Sequence, residues 1–287
     1  MSDAPQAVQE VAGVKCFAPS LAQAEQTYPA EAFARLVQLE ANSFWFRARN
    51  RIIVRMFRKY LRQPARPRVL EIGCGTGFVL SALHAQQRFD LVGAEQHVAG
   101  LVWARRRLPE VEFVQLDARH LPYRAAFDAV GAFDVIEHIP EDEAVMASVH
   151  RALRPNGLFI VTVPQHAWLW SAADEQAHHQ RRYSRAELRT KLERNGFKVR
   201  FCSSFVFLLL PLMYLARLRR KPSGNTDATT SAGFDELALP KLLDRLMGAA
   251  MRLDEALIAA GVSLPVGGSL LAVAERIGRP DPHEAAA

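Results

Sequence analysis

Gly73, Gly75 and Gly77 stand at alternate positions between the buried-strand pattern RVLEI (68–72) and the helical pattern TGFVLSALHAQQ (76–87). Glycines so placed permit positive φ and let a ligand approach the backbone closely. A strand that turns into a helix through such a loop commits the chain to strand–helix–strand units, and these build parallel sheets.

The sequence downstream keeps to that plan. DLVGAE (90–95), VEFVQL (111–116), FDAVGAFDVI (127–136), LFIVTV (158–163) and FKVRFCS (197–203) are predicted as strands. HVAGLVWARRRL (97–108) and EDEAVMASVHRAL (141–153) are predicted as helices, the latter closed by Pro155, Asn156 and Gly157. SRAELRTKLERNG (184–196) is a further helix, with Ser184 as N-cap and Gly196 at its end. Strands alternating with helices of this length predict right-handed crossovers and a mostly parallel α/β sheet with helices on both faces. Before the glycine loop, Pro29 to Leu61 reads as helical, and residues 1–27 read as a flexible N-terminus. After the sixth strand an apolar stretch from Phe205 to Ala216 meets a basic cluster of Arg217, Arg219, Arg220 and Lys221. A polar linker (222–233) and an amphipathic helix from about Pro240 to Ala260 follow, and GSLLAVAERI (268–277) supplies a last strand. Residues 204–266 are therefore an insertion within one sheet, and 28–203 plus 267–279 form the main domain.

The glycine loop reads GxGxG, one residue tighter than the GxGxxG that cradles a dinucleotide pyrophosphate. It suits an amino-acid zwitterion and a ribose. Glu95, eighteen residues after Gly77, ends the next strand, where a carboxylate can accept both ribose hydroxyls. Asp117, with Ala118 after it, ends the third strand, where a carboxylate can accept the exocyclic amine of an adenine. The competing reading is that both acids merely cap the helices that follow.

These residues make the chain resemble the class I S-adenosylmethionine-dependent methyltransferases over roughly 68–200: VLEIGCGTG, LVGAE, QLDA, FDVIEHI and ALRPNGLFIVTVP fall in family order. The resemblance implies a Rossmann-like seven-stranded, mostly parallel sheet whose last strand is antiparallel, with the helical insertion before it. It also implies S-adenosylmethionine as cofactor across the carboxyl ends of the first strands. Gly73, Cys74, Gly75 and Gly77 would then lie against the amino-acid and ribose parts, with Glu71 orienting the loop. Glu95 and Gln96 would serve the ribose, Asp117 and Ala118 the adenine, and Phe133 and Asp134 would complete the cofactor site. The segment from Phe44 to Arg49 looks like a stretch that closes over the cofactor in a bacterial subset, placing Arg49 near its carboxylate. The alternative is that its aromatics pack an N-terminal helix on the sheet.

Methyl transfer demands alignment, water exclusion and sometimes proton removal, so it leaves no obligatory catalytic motif. His138, after the fourth strand, is a candidate general base. Asp134, Glu137 and His138 also resemble a metal-binding cluster of ubiquinone-type O-methyltransferases. Shaping the turn beside the cofactor is the preferred reading of these residues, and no metal is assigned. The loop from Trp168 to Tyr183 follows the fifth strand and resembles a D…H-x-R-R-Y pattern of the same bacterial subset. It offers His179 as a base and Arg181 or Arg182 as an anion clamp in an acceptor pocket; otherwise it is a solvated loop capping the next helix.

The chain has 287 residues, 49% hydrophobic, with a net charge of +6, which excludes disorder and leaves acidic or phosphate-bearing partners open. Cys16, Cys74 and Cys202 form no CxxC and no even framework, so disulfide and zinc scaffolds are disfavoured and a cytoplasmic setting fits. The opening MSDAPQAVQE has no basic region before an apolar run, so no secretory signal is expected. Neither uncharged stretch makes a convincing span: Phe201–Ala216 is short and interrupted by Pro211, and Ala256–Ala274 is broken by Gly261, Pro265, Gly267 and Gly268.

An apolar stretch flanked by cations over 205–221 suits the inner face of a membrane, and a core helix or dimer contact is the alternative. The expected activity is methylation of a small-molecule or lipid-linked acceptor, at oxygen by preference. N- or C-methylation, RNA methylation or a non-catalytic cofactor-binding partner subunit are the alternatives. Nucleic acid is disfavoured by the absence of a basic appended domain and by DVIEH where an amide loop of the NPPY type would stand.

Overall fold

The computed structural model describes residues 8–23, 30–219 and 240–277. The expected sheet is present. Strands β3 (Arg68–Ile72), β4 (Asp90–Glu95), β5 (Glu112–Gln115), β6 (Phe127–Phe133), β7 (Leu153–Pro164), β8 (Phe197–Phe205) and β9 (Ser269–Arg276) stand in the order β5-β4-β3-β6-β7-β9-β8. β3 to β7 run parallel, and β9 is antiparallel to both β7 and β8.

Two further strands extend this sheet. β1 (Gln9–Val11) and β2 (Val14–Cys16) form a hairpin, and β2 lies parallel to β5. Residues 9–16 were expected within a flexible stretch, so this corrects that part of the reading. The turn Ala12–Gly13 has positive φ at both positions (51° and 73°), the twist that a two-residue hairpin favours. Val14 and Cys16 are buried while Lys15 between them is exposed.

Besides the short α1 (Pro19–Gln23) and α7 (Ala172–Gln176), helices cover both faces. On one face α3 (Phe44–Tyr60), α4 (Phe78–His84), α5 (Val98–Arg107) and α10 (Lys241–Ala259) share an apolar core that includes Ile53, Leu80, Leu101 and Met251. On the other, α6 (Asp142–Ala152) and α8 (Arg185–Arg194) bury Val145, Val149 and Leu188. The helical run over 29–61 is broken at Ser43, which separates α2 (Ala30–Asn42) from α3 and caps α3 by accepting from Trp45 N at 3.3 Å.

The apolar stretch from Phe205 divides in two. Phe205 ends β8, and with Val206 and Leu209 it enters the core. Only α9 (Leu210–Arg219) is helical, and Leu208, Leu212, Tyr214 and Leu215 are exposed. The polar linker 222–233 and the side chains of the basic cluster lie outside the described residues. Among the described residues no helix is long and apolar enough to cross a membrane.

Candidate functional site

The carboxyl ends of β3 to β6 converge on the glycine loop. Gly73, Gly75 and Gly77 have φ of 66°, 51° and 76°, so each occupies the left-handed region. What surrounds them differs. A Cβ on Gly73 would lie 2.4 Å from Val135 Cγ2, and one on Gly77 3.2 Å from Ala104 Cβ. A Cβ on Gly75 would meet nothing within 4 Å. Gly73 and Gly77 let protein pack on protein; Gly75 leaves open space. Cys74 is buried and anchors the loop through its N–H, donated to Ala94 O at 3.0 Å.

Glu95 ties the loop to the next helix. Its carboxylate accepts from Gly75 N and from His97 N, both at 3.0 Å. The capping role and a ligand role therefore share one side chain. Gln96 beside it is exposed. Asp117 accepts from the backbone N–H of Arg119 at 2.9 Å and pairs with its guanidinium, starting a short 3-10 turn at Ala118. Partial burial pushes against the charged form of Asp117, but these Arg119 contacts outweigh it and hold the carboxyl below its ordinary range.

Arg49 reaches this edge from α3. It pairs with Asp134 and donates to Phe133 O at 3.5 Å, with its guanidinium 4.7 Å from the Trp45 ring centre and 5.5 Å from that of Phe46. The aromatics thus both pack on the sheet and fix Arg49. Phe133 itself is a core ring, and it is its carbonyl that faces the site.

Glu40, Thr76 and Arg107 form a cluster to which the sequence reading gave no role. The Thr76 hydroxyl donates to Glu40 at 2.7 Å, while Arg107 donates to Glu40 at 3.0 Å and to Thr76 O at 3.0 Å. The end of α2 is thereby fastened to the glycine loop. The one available signal was an acid at the buried phase of a helical pattern.

Beneath the loop Glu71 is buried, with Oε2 unpartnered. Burial drives its pKa well above the usual carboxylate range; nearby Arg49 opposes the shift, and Glu40 and Glu95 add to it. A folded pKa raised above the unfolded value gives stability that is complete at low pH and declines as pH rises. Glu71→Gln is therefore expected to flatten that decline, seen as a smaller fall in Tm than in wild type as pH rises above the unfolded carboxylate pKa of about 4.3. An unchanged slope would remove Glu71 as its source.

On the acceptor side, the loop after β7 is organised by Asp174. This fully buried carboxylate accepts from Ser171 N (2.8 Å), Arg182 Nε (2.7 Å) and Nη2 (3.0 Å), and it meets His179 Nδ1 at 2.9 Å. Burial opposes its charge, but His179 and Arg182 prevail and hold its pKa far below the usual range. The His179 ring stands edge-on to that of His138, centres 4.6 Å apart. His138 is exposed as a residue, yet loss of water around its ring and the adjacent His179 lower its pKa to about 4.

Arg181 pairs with Asp142 at 2.9 Å and Arg182 with Asp174, so both guanidiniums hold the protein's own carboxylates. The anion clamp expected of them is not what the structure builds. Tyr183 is buried and donates to Asp142 at 2.6 Å.

Glu137 is buried with both carboxylate oxygens unpartnered, and burial followed by nearby Asp134 pushes its pKa well up. Among the described residues, donor atoms of Glu137, His138 and His179 lie within 4.8 Å of one another, a grouping able to hold a cation. Asp134, expected beside Glu137 and His138 in such a cluster, is instead taken up by Arg49.

The methyltransferase domain model matches residues 40–200, more than half of the chain. A probable S-adenosylmethionine-dependent methyltransferase of Mycolicibacterium smegmatis is 30% identical over 164 residues, covering 56% of this chain and 62% of that protein. A ubiquinone biosynthesis O-methyltransferase of Pseudomonas aeruginosa is 32% identical over 103 residues, 33% of this chain and 44% of the other. The matched part of the chain thus spans about six tenths of the first of these relatives and less of the second. The fold matches phosphoethanolamine N-methyltransferase 2 of Haemonchus contortus, solved with S-adenosylmethionine, at a TM-score of 0.57, 16% identity and 88% and 59% coverage. It also matches an S-adenosylmethionine-dependent methyltransferase of Thermotoga maritima at 0.54, 15% identity and 88% and 100% coverage. With this sheet order, a glycine loop open at Gly75 and a domain match over 40–200, the chain belongs to the class I S-adenosylmethionine-dependent methyltransferases.

Proposed function

We propose that this chain transfers a methyl group from S-adenosylmethionine to a hydroxyl of a small, hydrophobic or lipid-linked acceptor. The observation that carries the oxygen acceptor is the Asp174–His179 pair, in ring contact with His138. With the Nδ1 proton directed to Asp174, His179 keeps a lone pair on Nε2 that can accept an acceptor's hydroxyl proton. His138, with its lowered pKa, stays neutral beside it.

The residues present fit the cofactor. Gly75 offers open backbone, and the carboxylates Glu95 and Asp134 near the loop match the cationic ammonium and sulfonium. S-adenosylmethionine supplies a methyl already activated by its sulfonium. In this reading Gly73, Cys74, Gly75 and Gly77 hold its amino-acid part, with Arg49 toward its carboxylate. Glu95 and Gln96 hold the ribose, Asp117 and Ala118 the adenine, and Phe133 and Asp134 border the methyl.

Residues 28–203 plus 267–279 carry the chemistry. The insertion 204–266 closes the acceptor side or, over 205–221, meets the inner face of a membrane from the cytoplasm. Exposed Leu208, Leu212, Tyr214 and Leu215, with the Tyr214 ring 5.7 Å from that of exposed Trp168, support this.

A screen of hydroxylated acceptors, lipid extracts included, for uptake of label from methyl-labelled cofactor tests the function. Label found only on nitrogen or carbon would overturn the oxygen assignment. Glu95→Ala is expected to shrink the thermal shift given by S-adenosylhomocysteine, and an unchanged shift would take Glu95 out of the ribose role.

A further inference from the structure

Helix α10 sorts its charges by face. Its three acids point inward and each is engaged: Asp244 accepts from Phe44 N and Arg47, both at 2.5 Å. Asp254 accepts from Phe207 N at 2.6 Å, and Glu255 from Arg51 at 2.5 and 2.8 Å. Met251 and Ile258 on the same side are buried in the core. Its three bases, Lys241, Arg245 and Arg252, are all exposed, and none makes an ion pair among the described residues. The outward face is therefore cationic without a single acid.

That face is also apolar. Leu242, Leu246, Ala249, Leu253 and Ala256 are exposed at alternating steps of four and three residues. At 3.6 residues per turn they fall within about 80° of arc, and Lys241, Arg245 and Arg252 all lie along one flank of that arc. Leu242 is 71% exposed, Leu246 58% and Leu253 52%. Among the described residues nothing covers the stripe. A buried helix would not leave three leucines in water, and a solvated one would not place them in register.

We infer that α10 is an interfacial helix that seats this chain on an anionic lipid surface, its leucine stripe in the acyl boundary and its basic flank on the headgroups. The charge pattern selects this occupant. A second copy packed antiparallel on this stripe would bring the same basic flank against itself, whereas anionic headgroups neutralise it. The inference extends the membrane reading of 205–221 to a different helix. It stands apart from methyl transfer, because vesicle binding is read without turnover. It bears on the site all the same: Asp244 holds the first N–H of α3, the helix that carries Arg49.

The test is co-sedimentation of the full chain with vesicles of phosphatidylcholine alone or enriched in phosphatidylglycerol, alongside sedimentation velocity without lipid. Binding is expected with the anionic vesicles only and should weaken with salt. Leu246→Glu with Leu253→Glu should lower partitioning at least about tenfold, and Arg245→Glu with Arg252→Glu should remove the preference for phosphatidylglycerol. An undiminished thermal shift with S-adenosylhomocysteine shows that each variant is folded. Three results would overturn the inference: no vesicle binding, binding that the α10 variants leave intact while Leu212→Glu with Leu215→Glu abolishes it, or a self-association without lipid that the leucine variants destroy.

Discussion

Replacing Gly75 with leucine is expected to abolish S-adenosylhomocysteine binding while leaving the fold standing. The left-handed backbone at Gly75 costs an L-residue roughly 1–2 kcal/mol, and a Cβ there has no protein neighbour within 4 Å. The leucine fills the space that the cofactor needs. Calorimetry should show affinity reduced more than about 100-fold, with the thermal transition still cooperative. Gly73→Ala is the converse control. Its Cβ would be driven into Val135, adding overpacking to the same backbone strain, for a total of roughly 3 kcal/mol. If Gly75→Leu binds like wild type, the open side of the loop does not face the ligand.

Asp174→Ala is expected to cost about 3–5 kcal/mol, because it strands the buried Arg182 charge. Asp174→Asn separates structure from chemistry. The amide keeps the shape and some hydrogen bonds but can present a donor to His179 Nδ1, releasing the tautomer that leaves Nε2 free. Methyl transfer should then fall roughly 100-fold in kcat, with cofactor affinity unchanged. A purely structural Asp174 would leave the kcat of folded Asp174→Asn near wild type. Stability carries a second signature. The Asp174 pKa is depressed, so its contribution is complete above the unfolded carboxylate pKa and is lost as pH falls below about 4. The asparagine variant should lack that part of the acid decline, which acid titration followed by circular dichroism would show.

The sheet was legible because the strands of the parallel core are short and mostly apolar, and helical patterns of similar length alternate with them. Ser184 accepts from Glu187 N at 3.1 Å, where the spacing placed an N-cap. The β1–β2 hairpin was not legible, since three-residue strands leave too little alternation to register. Asp174 stood in the quoted loop, but its donors come together only when Ser171, His179 and Arg182 fold around it. The pairing of Arg49 with Asp134 spans 85 residues and has no local signature. Glu40 shows the same limit: an acid on an apolar helical phase looks like noise until Thr76 and Arg107 arrive beside it.

The place of β9 has a consequence for biosynthesis. It is the last strand of the sheet in chain order, yet it occupies an interior slot between β7 and β8. A ribosome-bound chain that has already extruded β3 to β8 still exposes the backbone groups along one side of β7 and leaves β8 without a paired neighbour. These can be satisfied only once Ser269–Arg276 emerges. Until then both margins are templates for mispairing, so such nascent chains should depend on holding chaperones far more than the finished polypeptide.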